Sequence, residues 1–221
     1  MSRARWMALC FALGSLCFLV GPFPGYVNLV GPKADGVTFF AGSILFTAGG
    51  ALQVWLAFPT RRSAGLGRGN WRAAWIQSIG TLFFNVTTYQ ALHTELSNPH
   101  YNRLVWRPDA FGSVMFLISG AIAYRASARH GWLPARGGHG WWEPSVNLLG
   151  CIFFGFSAVA GYVVPSSGSM LDLAAANWNT CLGAICFFVC AAATLRSGHT
   201  SKSPLRHLRL RKLEEELERV A

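Results

Sequence analysis

The sequence predicts an all-α polytopic membrane protein, with six transmembrane helices arranged as three repeated two-helix hairpins. Composition is the first observation behind that reading. Of 221 residues, 52% are apolar and 13% are charged, where an ordinary soluble domain carries about 25% charged residues. Run length is the second. Apolar segments lie at about 4–21, 37–58, 71–92, 109–126, 145–164 and 177–195. Each is near the ~20 residues that a helix needs to cross ~30 Å of hydrocarbon. The third is the placement of positive charge. The net charge is +10, which would suit nucleic acid if it formed one patch, but here it follows the loops.

With the N-terminus placed in the cytoplasm, Arg3, Arg5, Arg61, Arg62, Arg68, Arg72, Arg125, Arg129 and Arg136 fall inside. So do Arg196, Lys202, Arg206, Arg209, Arg211, Lys212 and Arg219, against Lys33, Arg103 and Arg107 outside. Short basic loops stay cytoplasmic, so both termini are expected in the cytoplasm of an inner (plasma) membrane. The same residues are expected to hold anionic lipid headgroups, and no nucleic-acid partner is expected. Tryptophans mark both interfaces, with Trp6, Trp55, Trp71, Trp75, Trp141 and Trp142 at inner ends and Trp106 and Trp178 at outer ends; indole favours that half-wet position. The preference for Arg over Lys, with abundant Ala and Gly, hints at a GC-rich bacterial source. Arg3 and Arg5 before an apolar run resemble a signal peptide, but no small-x-small cleavage site follows, and the first span is expected to be retained. Cys10, Cys17, Cys151, Cys181, Cys186 and Cys190 all lie in or at the ends of spans and read as small packing residues.

One motif recurs in every span: Gly, a small residue, a branched aliphatic, any residue, Phe, and a small residue seven after the Gly. It runs from Gly14 to Phe18 with Gly21, from Gly42 to Phe46 with Gly49, and from Gly80 to Phe84 with Thr87. It recurs from Gly112 to Phe116 with Ser119, from Gly150 to Phe154 with Ser157, and from Gly183 to Phe187 with Cys190. Odd and even spans each repeat at about 70 residues, so the expected unit is a hairpin present three times. Gly25-Tyr26-Val27 and Gly161-Tyr162-Val163 stand at the same offset after Gly14 and Gly150. Small residues one or two turns apart let helix backbones approach in lipid. Gly14, Gly42, Gly80, Gly112, Gly150 and Gly183 are therefore expected to pack helices, each leaving room for a neighbour's Phe. The Gly-Ser-aliphatic-x-Phe core at Gly42 to Phe46 and Gly112 to Phe116 resembles the YrhK-like domain of uncharacterised bacterial membrane proteins. That resemblance implies architecture and carries no functional residues.

Candidate chemistry is sparse. Gln77, Thr81, Asn85 and Thr88 form a polar stripe on the third span. It is expected to face protein or water, as interhelical glue or as the lining of a path. The segment 93–109 reads as an outer loop in which Pro108 and Asp109 suit a helix start. Its His93, Glu95 and His100 have the chemistry of a metal site, but not a recognised spacing, and neither metal nor cofactor is expected. The Gly-rich inner loop 127–143 lacks the Gly-Lys-Ser of a phosphate loop. A transmembrane domain is expected over 1–196 and a cytoplasmic amphipathic tail helix over 197–221, with Leu210, Leu213, Leu217 and Val220 as its apolar stripe and a protein partner as its role. The expected function is a non-catalytic module that binds lipid or a partner subunit. The alternative is a passive conduit for a small neutral solute along the third span.

Overall fold

A computed structural model describes residues 1–128 and 140–200, with side chains through residue 197. The helices are α1 (Arg3–Val20), α2 (Pro24–Val30), α3 (Pro32–Ala57), α4 (Leu66–Ala91), α5 (Arg107–Ser127), α6 (Trp142–Ala160) and α7 (Leu173–Thr200). One short antiparallel ribbon pairs β1 (Val163–Val164) with β2 (Ser169–Met170). The tail beyond residue 200 and the Gly-rich segment 129–139 lie outside the described residues, and with them the expected amphipathic stripe.

Six long helices stand where the six apolar runs place them. Among the described residues, five spans are long and apolar enough to cross a membrane: Arg3–Val20, Pro32–Thr60, Asn102–Ser127, Trp142–Ala160 and Leu173–Ser197. The sixth helix, α4, has 26 residues and is too polar to join them, because Gln77, Asn85 and three threonines interrupt its apolar run. Its polarity points inward, however. Gln77, Thr81, Thr87 and Thr88 are buried, while Ile79, Leu82 and Val86 are exposed.

Each long helix packs against its two sequence neighbours, and α7 packs back on α1, so the six close a ring. The start of α1, the 58–65 connection, the end of α5, the start of α6 and the end of α7 share one end, called the basic end because Arg3, Arg5, Arg61, Arg62, Arg68 and Arg72 gather there. The far end carries α2, the 92–106 segment and the ribbon.

The motif residues meet in the middle of the ring. Phe18, Phe46, Phe84, Phe116, Phe154 and Phe187 form one buried cluster with Cys151 and Ala184. Their rings are linked edge-on or tilted, at 5.0 Å between Phe84 and Phe116 and 5.9 Å between Phe18 and Phe154. Each such pair contributes about 0.5–1.5 kcal/mol beyond burial. Inside each hairpin the glycines and phenylalanines interlock. A Cβ on Gly14 would lie 2.8 Å from Phe46, one on Gly42 would lie 3.2 Å from Phe18, and one on Gly80 would lie 2.7 Å from Phe116. Gly112 faces Phe84, Gly150 faces Phe187 and Gly183 faces Phe154 in the same way. Only a residue without Cβ permits this approach of backbone to ring. The next motif position is fully or almost fully buried in every helix, from Ser15 to Ala184. The aliphatic after it is exposed in every helix: Leu16, Ile44, Leu82, Val114, Ile152 and Ile185. A girdle of exposed aliphatics around a buried aromatic layer is the inverse of a water-facing surface.

Three details differ from the sequence reading. A short helix, α2, follows the first span, because Pro24 occupies a first-turn position and Gly31, at φ 84°, both ends it and starts α3. The 93–109 segment is helical from Tyr101, with a π-helical stretch over Asn102–Trp106 running into α5. Pro108 and Asp109 do stand in the first turn of α5, but the π-helical stretch runs straight into that turn, so it is not a free helix end. Finally, Tyr26 lies in α2 and bonds Thr38 at 2.7 Å. Tyr162 precedes β1 and packs on Trp106 at 4.9 Å. The two Gly-Tyr-Val segments thus take different conformations.

Candidate functional site

The aromatic layer divides the ring's interior into two cavities. The cavity at the basic end has a volume of about 470 Å³ and the one at the far end about 230 Å³. Their lining follows from the motif. The residue three before each motif glycine stands one turn further from the layer, on the inward face. On α1, α4 and α6 these are Phe11, Gln77 and Asn147, and all three line the basic-end cavity. On α3, α5 and α7 they are Phe39, Asp109 and Thr180, and all three line the far-end cavity. In the first hairpin both positions are Phe. In the other two they are polar.

The basic-end cavity also takes in Gln53, Asn70, Glu143 and Cys190. The Gln53 Oε1 is buried without a hydrogen-bond partner. Beside the cavity, Ser119 Oγ donates to the Ala73 carbonyl at 2.8 Å and lies 3.4 Å from Gln77 Oε1, which ties α5 to α4. At the far end, Asn102 clamps the ribbon. Its Nδ2 donates to the Val163 carbonyl at 2.6 Å and its Oδ1 accepts from the Val163 amide at 3.0 Å. A third hollow, on the outside between α5 and α6, is lined almost entirely by apolar groups.

The polar stripe of α4 does not follow a single path. Gln77 reaches the basic-end cavity and Thr88 the far-end one. Phe84, in the aromatic layer, lies between them. Thr81 is fully buried and donates to its own helix at Ser78 O, 2.7 Å away. Asn85 Nδ2 donates to Thr47 Oγ1 of α3 at 2.9 Å, and its Oδ1 is buried without a partner. Thr88 Oγ1 donates to the Phe84 carbonyl at 2.7 Å and lies 2.9 Å from Ser43 Oγ of α3.

His93, Glu95 and His100 are not brought into one ligand set. His93 stacks edge-on against Tyr89 at 4.9 Å, and Glu95 takes Ser97 at 3.5 Å. The His100 amide donates to Asn98 Oδ1 at 2.8 Å. Among the described residues no group of three His, Cys, Asp or Glu side chains could hold a metal. All six cysteines are free.

Sequence reasoning singled out neither cavity. The signal was present in the motif register, since counting three residues back from each glycine gives Gln77, Asn147, Asp109 and Thr180. The chain has no match among protein-family models, curated proteins or solved structures.

Proposed function

We propose that the protein is a six-span plasma-membrane protein with both termini in the cytoplasm. It is built from three repeated hairpins around a sealed axis and acts as a non-catalytic module that binds lipid or a partner subunit. For the sixth span, the support is that α4 hides its polar groups and exposes Ile79, Leu82 and Val86. Four such polar groups facing lipid would be costly, whereas this arrangement presents hydrocarbon to hydrocarbon. For the repeat, the support is that all three hairpins place Gly against Phe reciprocally. For orientation, it is the sixteen-to-three distribution of Lys and Arg.

The observation that carries the functional reading is the aromatic layer, because six interlocked Phe rings stand between the two cavities. Purified protein reconstituted into vesicles tests it by stopped-flow uptake of urea and glycerol. Rates equal to those of protein-free vesicles support a sealed module. The rival reading, a conduit for a small neutral solute, draws on the presence of a cavity on each side of the layer, and saturable uptake above the lipid background would establish it instead.

A further inference from the structure

The far-end cavity has a chemistry that a sealed axis leaves unused. Its floor is aromatic, formed by Phe18, Phe84 and Phe154 from the layer below. Among the described residues, Asp109 is its one acidic residue, and no Lys, Arg or His lines it. None of the described residues pairs a cation with that carboxylate.

The serine and threonine hydroxyls that line the same cavity have already spent their protons. Thr87 Oγ1 donates to the Val105 carbonyl at 2.6 Å, and Thr88 Oγ1 to the Phe84 carbonyl at 2.7 Å. Ser157 and Thr180 lie 2.7 Å apart and both reach the Ala176 carbonyl at 2.9 Å, which absorbs their two protons. Trp106 Nε1 is committed to the Ala158 carbonyl at 2.8 Å. A hydroxyl whose proton is engaged offers only lone pairs. The cavity is therefore rich in acceptors, with Tyr101 and Asn177 as its remaining donors, and three aromatic rings form its apolar floor.

The geometry points to a binding site for a small protonated primary amine in the far-end cavity, with its ammonium on Asp109 and the hydroxyl lone pairs and its short alkyl stem over the aromatic floor. A primary ammonium has three donors and no acceptor, which complements this lining. Aromatic rings attract cations and accept alkyl groups. An anion would meet a carboxylate with no counter-charge. A divalent metal would find one carboxylate where it usually needs several oxygen ligands. The site is independent of whether the layer ever opens, so its failure would leave the sealed-module reading intact.

The probe is n-butylammonium chloride, titrated calorimetrically into the full chain in nanodiscs, with empty nanodiscs subtracted. n-Butanol and sodium chloride serve as controls on the same wild-type protein. Saturable binding of the ammonium is expected, at least tenfold tighter than n-butanol, with no competition from equal sodium. Asp109→Asn is expected to weaken it at least tenfold while size-exclusion behaviour and helicity are kept. If Asp109→Asn does not fold, Asp109→Thr, which copies the residue at the matching position of α7, takes its place. No saturable binding, equal affinity for n-butanol, displacement by sodium, or an Asp109 variant that binds within twofold of wild type would each overturn the assignment.

Discussion

Replacing Gly80 with alanine adds one methyl group at the tightest backbone-to-ring contact of the second hairpin. The new Cβ would stand 2.7 Å from Phe116 Cδ1, 2.9 Å from its Cε1 and 3.1 Å from the Gly112 carbonyl oxygen. Ordinary carbon contacts lie at about 3.5–4.0 Å, so the ring or the helix must give by about 0.8 Å. Phe116 is 1% exposed and held between Phe84 at 5.0 Å and Phe187 at 5.7 Å, so it has little room to swing. Overpacking of this kind costs about 1–3 kcal/mol. The better helix propensity of Ala returns up to about 1 kcal/mol. A net loss of about 1–2 kcal/mol is expected, measured by equilibrium unfolding in mixed micelles titrated with SDS. Gly25→Ala is the control, because nothing lies within 4 Å of its Cβ position, and it should change stability by less than about 0.5 kcal/mol. Trimming the ring in the double variant Gly80→Ala/Phe116→Leu should recover stability, with a coupling of about 1 kcal/mol or more. A Gly80→Ala protein as stable as Gly25→Ala, or a double variant whose losses simply add, would refute the interlocking of Gly and Phe.

Two further perturbations address orientation and the polar stripe. In a cysteine-free background, Cys at position 202 should be labelled only from the cytoplasm and Cys at position 98, which is exposed at the far end, only from outside; labelling on the same side would remove the six-span topology. Asn85→Leu deletes the 2.9 Å bond to Thr47, and an interhelical bond in lipid contributes about 0.6 kcal/mol. A loss below about 1 kcal/mol with unchanged vesicle permeability is expected, whereas normal stability with altered solute flux would make this residue part of a path.

Much of the helical layout was legible because membrane spans impose length. Each of the six apolar runs ends within a few residues of a helix in the ring. The motif was legible because every occurrence repeats the same demand: a glycine where a ring must approach, then a phenylalanine one turn on. The polar stripe shows where periodicity stops. Gln77, Thr81, Asn85 and Thr88 share a face, but a shared face fixes neither depth nor neighbour. Phe84 intervenes, Thr81 turns back on its own helix, and Asn85 and Thr88 bond sideways to α3. The closeness of Asp109 to Pro108 marks a helix start, and Asp109 does stand in the first turn of α5. Its place three residues before Gly112 puts it on the cavity wall, while the π-helical stretch that runs into α5 is tied down by Asn102 and Trp106 bonding distant backbone. Such long-range bonds leave no trace in local pattern.

Cysteine accessibility on either side of the aromatic layer tests whether it seals the two cavities from each other. In the cysteine-free background, single cysteines at positions 77, 116 and 180 would be exposed to a small charged methanethiosulfonate reagent applied from one side of sealed vesicles at a time. A sealing layer is expected to allow modification of Gln77→Cys from the basic side alone and of Thr180→Cys from the far side alone. Phe116→Cys should stay unmodified from either side until the protein is unfolded. Modification of the position 116 thiol at a rate comparable to the other two would contradict it.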